Sequence, residues 1–495
     1  MRRRTFLKSS ALVGGAVAAR GPVWAMDAFR EPARKPNIVY VLADQWRAST
    51  TGYTGIDPNI RTPQLDRLAG ESVNFRNTVS VCPVCTPHRA ALMTGRFPTS
   101  TGMVLNDLYL PAEELCLPEV LNAAGYDTAY IGKWHLDGHG RDAFTPPERR
   151  QGWAYWKAIE CRHSNYNNFY YTGDSPERRS WGAGYDAFAQ TQDAQRYIRD
   201  HAVGERPFAL MLSFGPPHPA SSEPPDDFKA QYDRAALELP PNVPADFHSQ
   251  ARQHLHRYYA HCSALDECVG QLERTIDEAG IAENTIFIFT SDHGGMLLSH
   301  GQPQDWKQVP WSESSQVPFL LRYPALHGSR SRVVETPFNT PDIMPTLLGL
   351  CGVAVPETVE GEDCSRWIRT GDGPEDRAAL YMSVTPFVGQ GRPYRAVRTR
   401  QFTYARDLDG PWLLYDDRED PWQTRNLVSV PDFEPVRHDL DARLQAELAK
   451  VGDDFQPAAA YLQKWGYHVD ARGAVPYAPH NIGPQSPRRS APSQA

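Results

Sequence analysis

No apolar run in this 495-residue chain is long enough to cross a bilayer, which excludes a membrane-spanning helix. Positive charge is not in excess. Lys and Arg number 51 against 59 Asp and Glu, a net charge of -8, so general nucleic-acid binding is excluded. An acidic chain can still take an anionic ligand, because only the field inside the cleft acts on it. Cysteine is sparse and dispersed: Cys82, Cys85, Cys116, Cys161, Cys262, Cys268, Cys351 and Cys364. Cys82 and Cys85 lie three apart with no second close pair, which excludes a paired-cysteine zinc site. There is no internal repeat, which excludes a solenoid. What remains is ordinary globular composition, 41% hydrophobic and 22% charged, with length for two packed units.

The first residues form a pattern of their own. Arg3 and Arg4 open a twin-arginine block, RRTFLK, and a weakly apolar stretch, SSALVGGAVAA, covers residues 9–19. Small residues around Ala25 offer a cleavage position. Residues 1–25 therefore read as a signal peptide for the twin-arginine (Tat) machinery, with a bacterial periplasmic or secreted destination. An oxidising compartment permits disulfides, but the pairs cannot be assigned from sequence.

Short apolar runs flanked by turn residues follow at residues 38–43 (IVYVLA), 128–131 (TAYI), 208–214 (FALMLSF), 286–290 (IFIFT) and 319–323 (FLLRY). Runs of this kind suit strands buried on both faces, as in a parallel sheet. Helical patterns lie between them. Thr62-Pro63 offers an N-cap and a first-turn proline. Leu255, Tyr258, Cys262, Leu265, Val269, Leu272 and Ile276 repeat every three or four residues across 251–279, and Gly280 stops the helix. Thr340-Pro341 opens another helix ending near Gly352. Alternating strands and helices imply an α/β fold with a mostly parallel central sheet flanked by helices. The catalytic unit is expected over 36–370. After a Gly/Asp/Pro segment at 370–376, the pieces YMSV, YRAVRT, FTYAR and WLLY predict a smaller antiparallel sheet in a C-terminal subdomain over 376–470. Residues 471–495, rich in Pro, Ser and Arg, read as a loose tail.

In an open α/β sheet, ligands bind beyond the carboxyl ends of the strands. Here those ends carry Asp44-Gln45, then Lys133 and His135, then His218, then Asp292-His293. A single Asp after a strand is ordinary turn chemistry, and a single histidine is more often just hydrogen-bonded. Four such ends would gather carboxylates, imidazoles and an ammonium in one cleft. Asp44 and Asp292 could share one hard divalent cation. Lys133, His135 and His218 are candidates for anion binding and proton transfer.

The segment CPVCTPHRAALMTGR, residues 82–96, resembles the sulfatase signature: Cys85-Thr86-Pro87-His88-Arg89, then Thr94-Gly95-Arg96. PNIVYVLADQ, TPQLDRLA, GYDTAYIGKWHL, SFGPPHP, SDHGG and WKQVPWSESSQVPFLLRYP resemble sulfatase segments in sulfatase order, and the likeness continues to about Leu427. This chain has Asp44-Gln45 and Asp292-His293 where many sulfatases have two acidic residues and Asp-Asn. That variant resembles the branch holding choline sulfatases and phosphonate monoester hydrolases.

The resemblance implies an alkaline-phosphatase-like fold and a sulfuric ester hydrolase. It implies that a formylglycine-generating enzyme converts Cys85 to 3-oxoalanine, whose hydrate attacks sulfur. It implies a divalent metal, read as Ca2+ with Mn2+ or Mg2+ as alternatives, held by Asp44, Asp292, His293 and residue 85, with Gln45 an extra ligand. Arg89 would orient the hydrate, and Lys133 and Lys307 would clamp the sulfate. His218 would be the general acid and His135 the group that drives collapse of the hydrate. The expected substrate is a sulfated carbohydrate. Arg162, His163 and Asn165 are candidate sugar contacts within an aromatic insertion over 153–185, whose rings could otherwise simply pack the loop on the sheet. The competing functions are a phosphate or phosphonate monoesterase, a choline-sulfatase-like enzyme, and an inactive sugar-binding relative.

Overall fold

The computed structural model describes residues 34–219, 222–328 and 330–477. The signal peptide read at 1–25 and the tail from residue 478 onward lie outside the described residues. The strands, in chain order, are β1 (Asn37–Asp44), β2 (Val73–Phe75), β3 (Thr78–Val79), β4 (Asp127–Lys133), β5 (Tyr155–Ile159), β6 (Phe169–Thr172), β7 (Arg179–Ser180), β8 (Phe208–Pro217), β9 (Thr285–Ser291), β10 (Phe319–Arg322), β11 (Arg332–Val334), β12 (Phe338–Asn339), β13 (Ala379–Ser383), β14 (Tyr394–Arg398), β15 (Phe402–Asp407) and β16 (Gly410–Asp416). Ten of them form one sheet in the order β11-β2-β10-β9-β1-β8-β4-β5-β6-β7. Its centre, β9-β1-β8-β4-β5, is parallel throughout.

The apolar runs explain this centre. Successive side chains of a strand point to opposite faces. Ile38, Tyr40 and Leu42 of β1 enter one core, and Val39, Val41 and Ala43 enter the other. In β9, Ile286 and Ile288 join the first core while Phe287 and Phe289 join the second. Each such side chain, fully withdrawn from water, contributes about 2 kcal/mol before chain entropy is counted. The second core is closed by the helix His248–Glu278, with Leu255, Tyr258, Leu265 and Leu272 buried. That helix starts three residues before the periodic pattern does, and Gly280 follows it with φ +69°.

Two details differ from the sequence reading, and the helical segment read from Thr340-Pro341 is found there with its cap one residue earlier. The 319–323 run forms β10, which is antiparallel to β9: Phe319 pairs with Thr290 at the carboxyl end of β9. The chain between them, residues 292–318, never leaves that end of the sheet, so no crossover returns it for a parallel strand. Thr62 occupies the N-cap of the helix Pro63–Gly70, but its hydroxyl donates to Asp66 at 3.1 Å instead of capping. The Asp266 carboxylate takes the orphan amides of Gln64 and Leu65 at 3.0 and 2.7 Å. The turn at Thr340-Pro341 is capped by Asn339, whose side chain accepts from Thr340 and pairs with Asp342 in a capping box.

The C-terminal pieces form the four-stranded antiparallel sheet β13-β14-β15-β16. One face packs Val397, Tyr404 and Leu414 into the same core as Leu440, Leu444 and Leu448 of the helix Glu434–Lys450. The other packs Tyr381, Tyr394 and Tyr415 near Trp311. Tyr381 donates to the Pro310 carbonyl at 2.8 Å, and Trp311 donates to Tyr415 at 3.2 Å. The small sheet therefore braces the 307–311 loop that leads from Lys307.

Candidate active site

The carboxyl ends of β1, β4, β8 and β9 meet in one buried cluster. The β1–β8 register breaks between Leu42 and Asp44, which re-aims Asp44 at the strand end. Gly132 sits just before Lys133 with φ +105°, and a Cβ there would lie 2.0 Å from the Ser213 carbonyl oxygen. Only glycine lets β4 approach β8 this closely and still turn Lys133 inward. Cys85 begins the helix Cys85–Thr94. Val84, its N-cap, supplies no side-chain cap. The Thr86 amide is taken by Asn106 Oδ1 at 2.9 Å. The positive end of this helix faces the cluster.

Cys85 Sγ is the centre of the arrangement. His293 Nε2 lies 3.2 Å away, Lys133 Nζ and Lys307 Nζ each 3.7 Å, and the Asp44 carboxylate oxygens 3.8 and 3.9 Å. Arg89 binds Asp292 Oδ2 through Nε at 3.2 Å and Nη2 at 3.0 Å, and Nη2 stands 3.6 Å from Asp44. Its Nη1 donates to the Lys133 carbonyl at 2.9 Å and Ser213 Oγ at 2.8 Å. Lys133 Nζ is ion-paired with Asp44. Asp292 Oδ1 accepts from the amides of Gln45 (3.1 Å) and His293 (2.9 Å). His293 Nδ1 is 2.7 Å from the Gly294 carbonyl, so Nδ1 carries the hydrogen and Nε2 faces Cys85 with its lone pair when the ring is neutral.

The charges decide each group's state. Burial pushes the Cys85 thiol and the Asp44 carboxyl upward. Lys133 and Lys307, with His293, outweigh this and hold both well below their ordinary values. His293 is raised, burial being outweighed by Asp292 and Cys85. His218 is driven well below its ordinary value by burial and by Lys307, only partly offset by Asp44.

Asp44, Cys85, Asp292 and His293 each offer a ligand atom, and these atoms lie within 4.8 Å of one another. Gln45 Oε1 accepts from Lys307 at 3.4 Å, while its buried Nε2 has no hydrogen-bond partner. Two carboxylates, an imidazole and a residue-85 ligand suit a divalent cation with some preference for oxygen. The set fits one.

His135 follows β4 at φ +61°, with Nε2 2.9 Å from Asp107 Oδ1. The ring of His163 lies 4.5 Å from that of His218, and Asn165 Nδ2 donates to the His218 carbonyl at 3.4 Å and to Ser222 at 2.8 Å. Arg162 stands further out, 3.5 Å from Asp142 and over the ring of Phe169 at 5.2 Å. Of the thirteen residues singled out in the sequence, Arg162 is held by Asp142 and Phe169 outside the cluster. Sequence reasoning missed Asn106, Asp107, Arg141, Cys161 and Ser213. Asp107 and Asn106 come from an irregular segment with no strand end to mark them. Ser213 lies inside an apolar run. Cys161, two residues beyond β5, carried only the mark shared by every strand end. All eight cysteines are free and buried.

The aromatic insertion divides in two. Trp153, Trp156, Tyr171 and Tyr185 are buried, and Trp156 stacks on Tyr130 and meets Trp134 edge-on. Those rings pack the loop on the sheet. Tyr166, Phe169, Tyr170 and Trp181 stay partly open.

The sulfatase family matches residues 36–353, and the C-terminal family of N-sulphoglucosamine sulphohydrolase matches residues 305–450. The chain is 49% identical over 453 residues to an ulvan-active sulfatase of Formosa agariphila, covering 91% of this chain and 88% of that one. It is 30% identical over 490 residues to an endo-4-O-sulfatase of Bacteroides thetaiotaomicron, covering 86% and 94%. Among solved structures, the yidJ protein of Bacteroides fragilis superposes with a TM-score of 0.78 at 30% identity, covering 88% of this chain and 99% of that one. With the signature cysteine at the centre of a cationic, carboxylate-bearing cleft on this fold, the chain belongs to the sulfatase family and is a sulfuric ester hydrolase.

Proposed function

We propose that the protein hydrolyses a sulfate ester on a sulfated carbohydrate, through a formylglycine made from Cys85 by a formylglycine-generating enzyme. The observation that carries this is the placement of residue 85 against two lysines and His293, with a buried carboxylate pair behind it. Cys85 Sγ then stands for the hydroxyl oxygens of the hydrated aldehyde. A divalent cation held by Asp44, Asp292, His293 and residue 85, with Gln45 as an extra ligand, would acidify that hydrate and neutralise sulfate oxygens. Ca2+ is the first choice, with Mn2+ or Mg2+ as alternatives.

The chain's own groups supply the rest. Lys133 and Lys307 sit where the sulfate oxygens would lie and stabilise their charge. One hydrate hydroxyl, its proton lost to solvent, bonds through its oxygen to sulfur as the sulfur–ester oxygen bond breaks. His218 gives its proton to the departing alcohol. Alone in the cleft His218 is neutral, because burial and Lys307 strip its proton. An arriving sulfate offsets part of the lysine charge and so favours the protonated ring. The second hydrate hydroxyl then loses its proton to His135, the aldehyde reforms and sulfate leaves. Arg89 holds Asp292 and the Lys133 carbonyl, so it orients the hydrate indirectly, through the groups around it.

His163 and Asn165 flank His218, on the leaving-group side, and Arg162 lies at the rim; these are the proposed sugar contacts. Relatives named for action on ulvan and on a 4-O-sulfate support a carbohydrate ester over a small aliphatic one. A panel of sulfated mono- and oligosaccharides beside choline sulfate, an aryl sulfate and a phenylphosphonate ester tests this. A sugar sulfate should exceed the choline and phosphonate esters in kcat/KM by about tenfold or more. If the phosphonate or choline ester is preferred and no sugar sulfate is cleaved, the carbohydrate assignment fails.

We also propose export through the twin-arginine route on the pattern at Arg3 and Arg4. Replacing both with Lys should leave active enzyme in the cytoplasm. An unchanged periplasmic yield would reject the route.

A further inference from the structure

His135 is buried, and its two ring nitrogens have different surroundings. Nε2 is 2.9 Å from Asp107 Oδ1, while Nδ1 is buried with no hydrogen-bond partner. Asp107 is itself held on three sides. Arg141 grips it with Nε on Oδ1 at 3.1 Å and Nη2 on Oδ2 at 2.9 Å. Its own amide donates to Thr86 Oγ1 at 3.2 Å. That same hydroxyl donates to the His135 carbonyl at 3.0 Å. The residue after Cys85 therefore ties the backbone of His135 to the backbone of Asp107. Asp107 adopts φ +65°, a left-handed conformation uncommon outside glycine and tolerated by Asp. A fork-on-carboxylate grip of this kind fixes orientation as well as charge.

We propose that Asp107, clamped by Arg141, is a positioning residue that fixes His135 in the Nε2–H tautomer and leaves Nδ1 as the base for collapse of the residue-85 hydrate. This rests on the reading of His135 given above. In the collapse, the remaining hydrate hydroxyl gives its proton to Nδ1, its O–H electrons form the C=O bond, and the carbon–oxygen bond to sulfate breaks. Sulfate leaves with that electron pair, and the imidazolium is held against the Asp107 carboxylate. Asp107 is held well below the carboxylate range, burial being outweighed by His135 and Arg141.

The test is Asp107→Asn in formylglycine-bearing, metal-loaded enzyme. Arg141 Nε and His135 Nε2 share Oδ1 while Arg141 Nη2 takes Oδ2, so an amide sets its NH2 against one of these donors and breaks the clamp. The variant also removes the negative charge that holds the imidazolium, so proton transfer to Nδ1 is disfavoured. The first sulfuryl transfer does not use Nδ1. A stoichiometric burst of alcohol should therefore persist, steady-state kcat should fall about 10^3- to 10^4-fold, and KM should not rise. Intact mass should show the residue-85 peptide carrying one sulfuryl group. His135→Ala is the control. If it does not accumulate the sulfated enzyme, the reading of His135 itself is wrong. If it does, while Asp107→Asn turns over within about tenfold of wild type or loses the burst, the role of Asp107 is overturned. Arg141→Gln gives the same readout should Asp107→Asn fail to fold. A kept burst with slow steady state supports the clamp, and loss of both together overturns it.

Discussion

Cys85→Ala is expected to lower turnover about a million-fold, to the level of the unassisted site, while the protein stays folded. Removing a covalent nucleophile that works with its partners as a unit has that order of effect. The fold should survive for local reasons. Residue 85 opens a helix, where alanine is favourable, and its side chain is small. The cavity left by one sulfur costs about 1 kcal/mol. Lys133 keeps Asp44 as its partner, and Lys307 keeps Gln45. Circular dichroism and the unfolding midpoint should match wild type within a few degrees. Near-wild-type sulfate release by this variant would reject the whole mechanism.

Asp292→Ala should be the second most damaging change, for two separable reasons. The carboxylate is one of the two that, with His293 and residue 85, can ligate the metal. Losing several kcal/mol of charge stabilisation at the sulfate corresponds to about a thousand-fold or more in rate. The same carboxylate also neutralises Arg89, which is buried at 1% exposure, and satisfies the amides of Gln45 and His293. Breaking a buried pair from one side costs about 3–5 kcal/mol of stability. Asp292→Asn separates the two effects, since an amide keeps one acceptor for the amides while losing the charge. Metal analysis should find both variants depleted. Exhaustive chelation of wild type should silence it, and a divalent ion should restore it. Full activity with no metal detected would remove the cation from the account.

The sheet was largely legible because its central strands are buried on both faces. The run at 38–43 could hardly be anything else once turn residues bracket it. The functional ends were legible for the same reason, since Asp44, Lys133, His218 and Asp292 all follow such runs. The direction of β10 was not legible. Whether a strand returns parallel or antiparallel depends on where its connection travels, and residues 292–318 carry no pattern that says. The cap of the helix Pro63–Gly70 was assigned to the adjacent Thr62, but Asp266, two hundred residues away, supplies it. Asp107 was invisible for a related reason. Its meaning comes from Arg141 and Thr86 meeting it in space, and nothing in the sequence around it marks that meeting. The aromatic insertion could be read as packing or as a sugar surface, and the structure buries Trp153 and Trp156 in the core while leaving Phe169 and Trp181 partly open.

Gln45 and His293 bear on specificity. In place of a second carboxylate, Gln45 brings a neutral carbonyl toward Lys307. His293 brings a ring raised by Asp292 and Cys85 against the opposing effect of burial. The site therefore carries less negative charge than one with two acidic residues at the end of β1. Less negative charge favours binding of the more highly charged ester, so hydrolysis of a phosphate monoester, a dianion, is the side activity to measure beside sulfate release.

The central claim is that the reactive group is an aldehyde at position 85. The direct measurement is sulfate turnover in preparations made with graded amounts of a formylglycine-generating enzyme, set against the fraction of aldehyde in the residue-85 peptide by mass spectrometry. Turnover should rise in proportion to that fraction and extrapolate to zero at zero aldehyde. Full turnover in a preparation whose residue 85 is entirely thiol would contradict it.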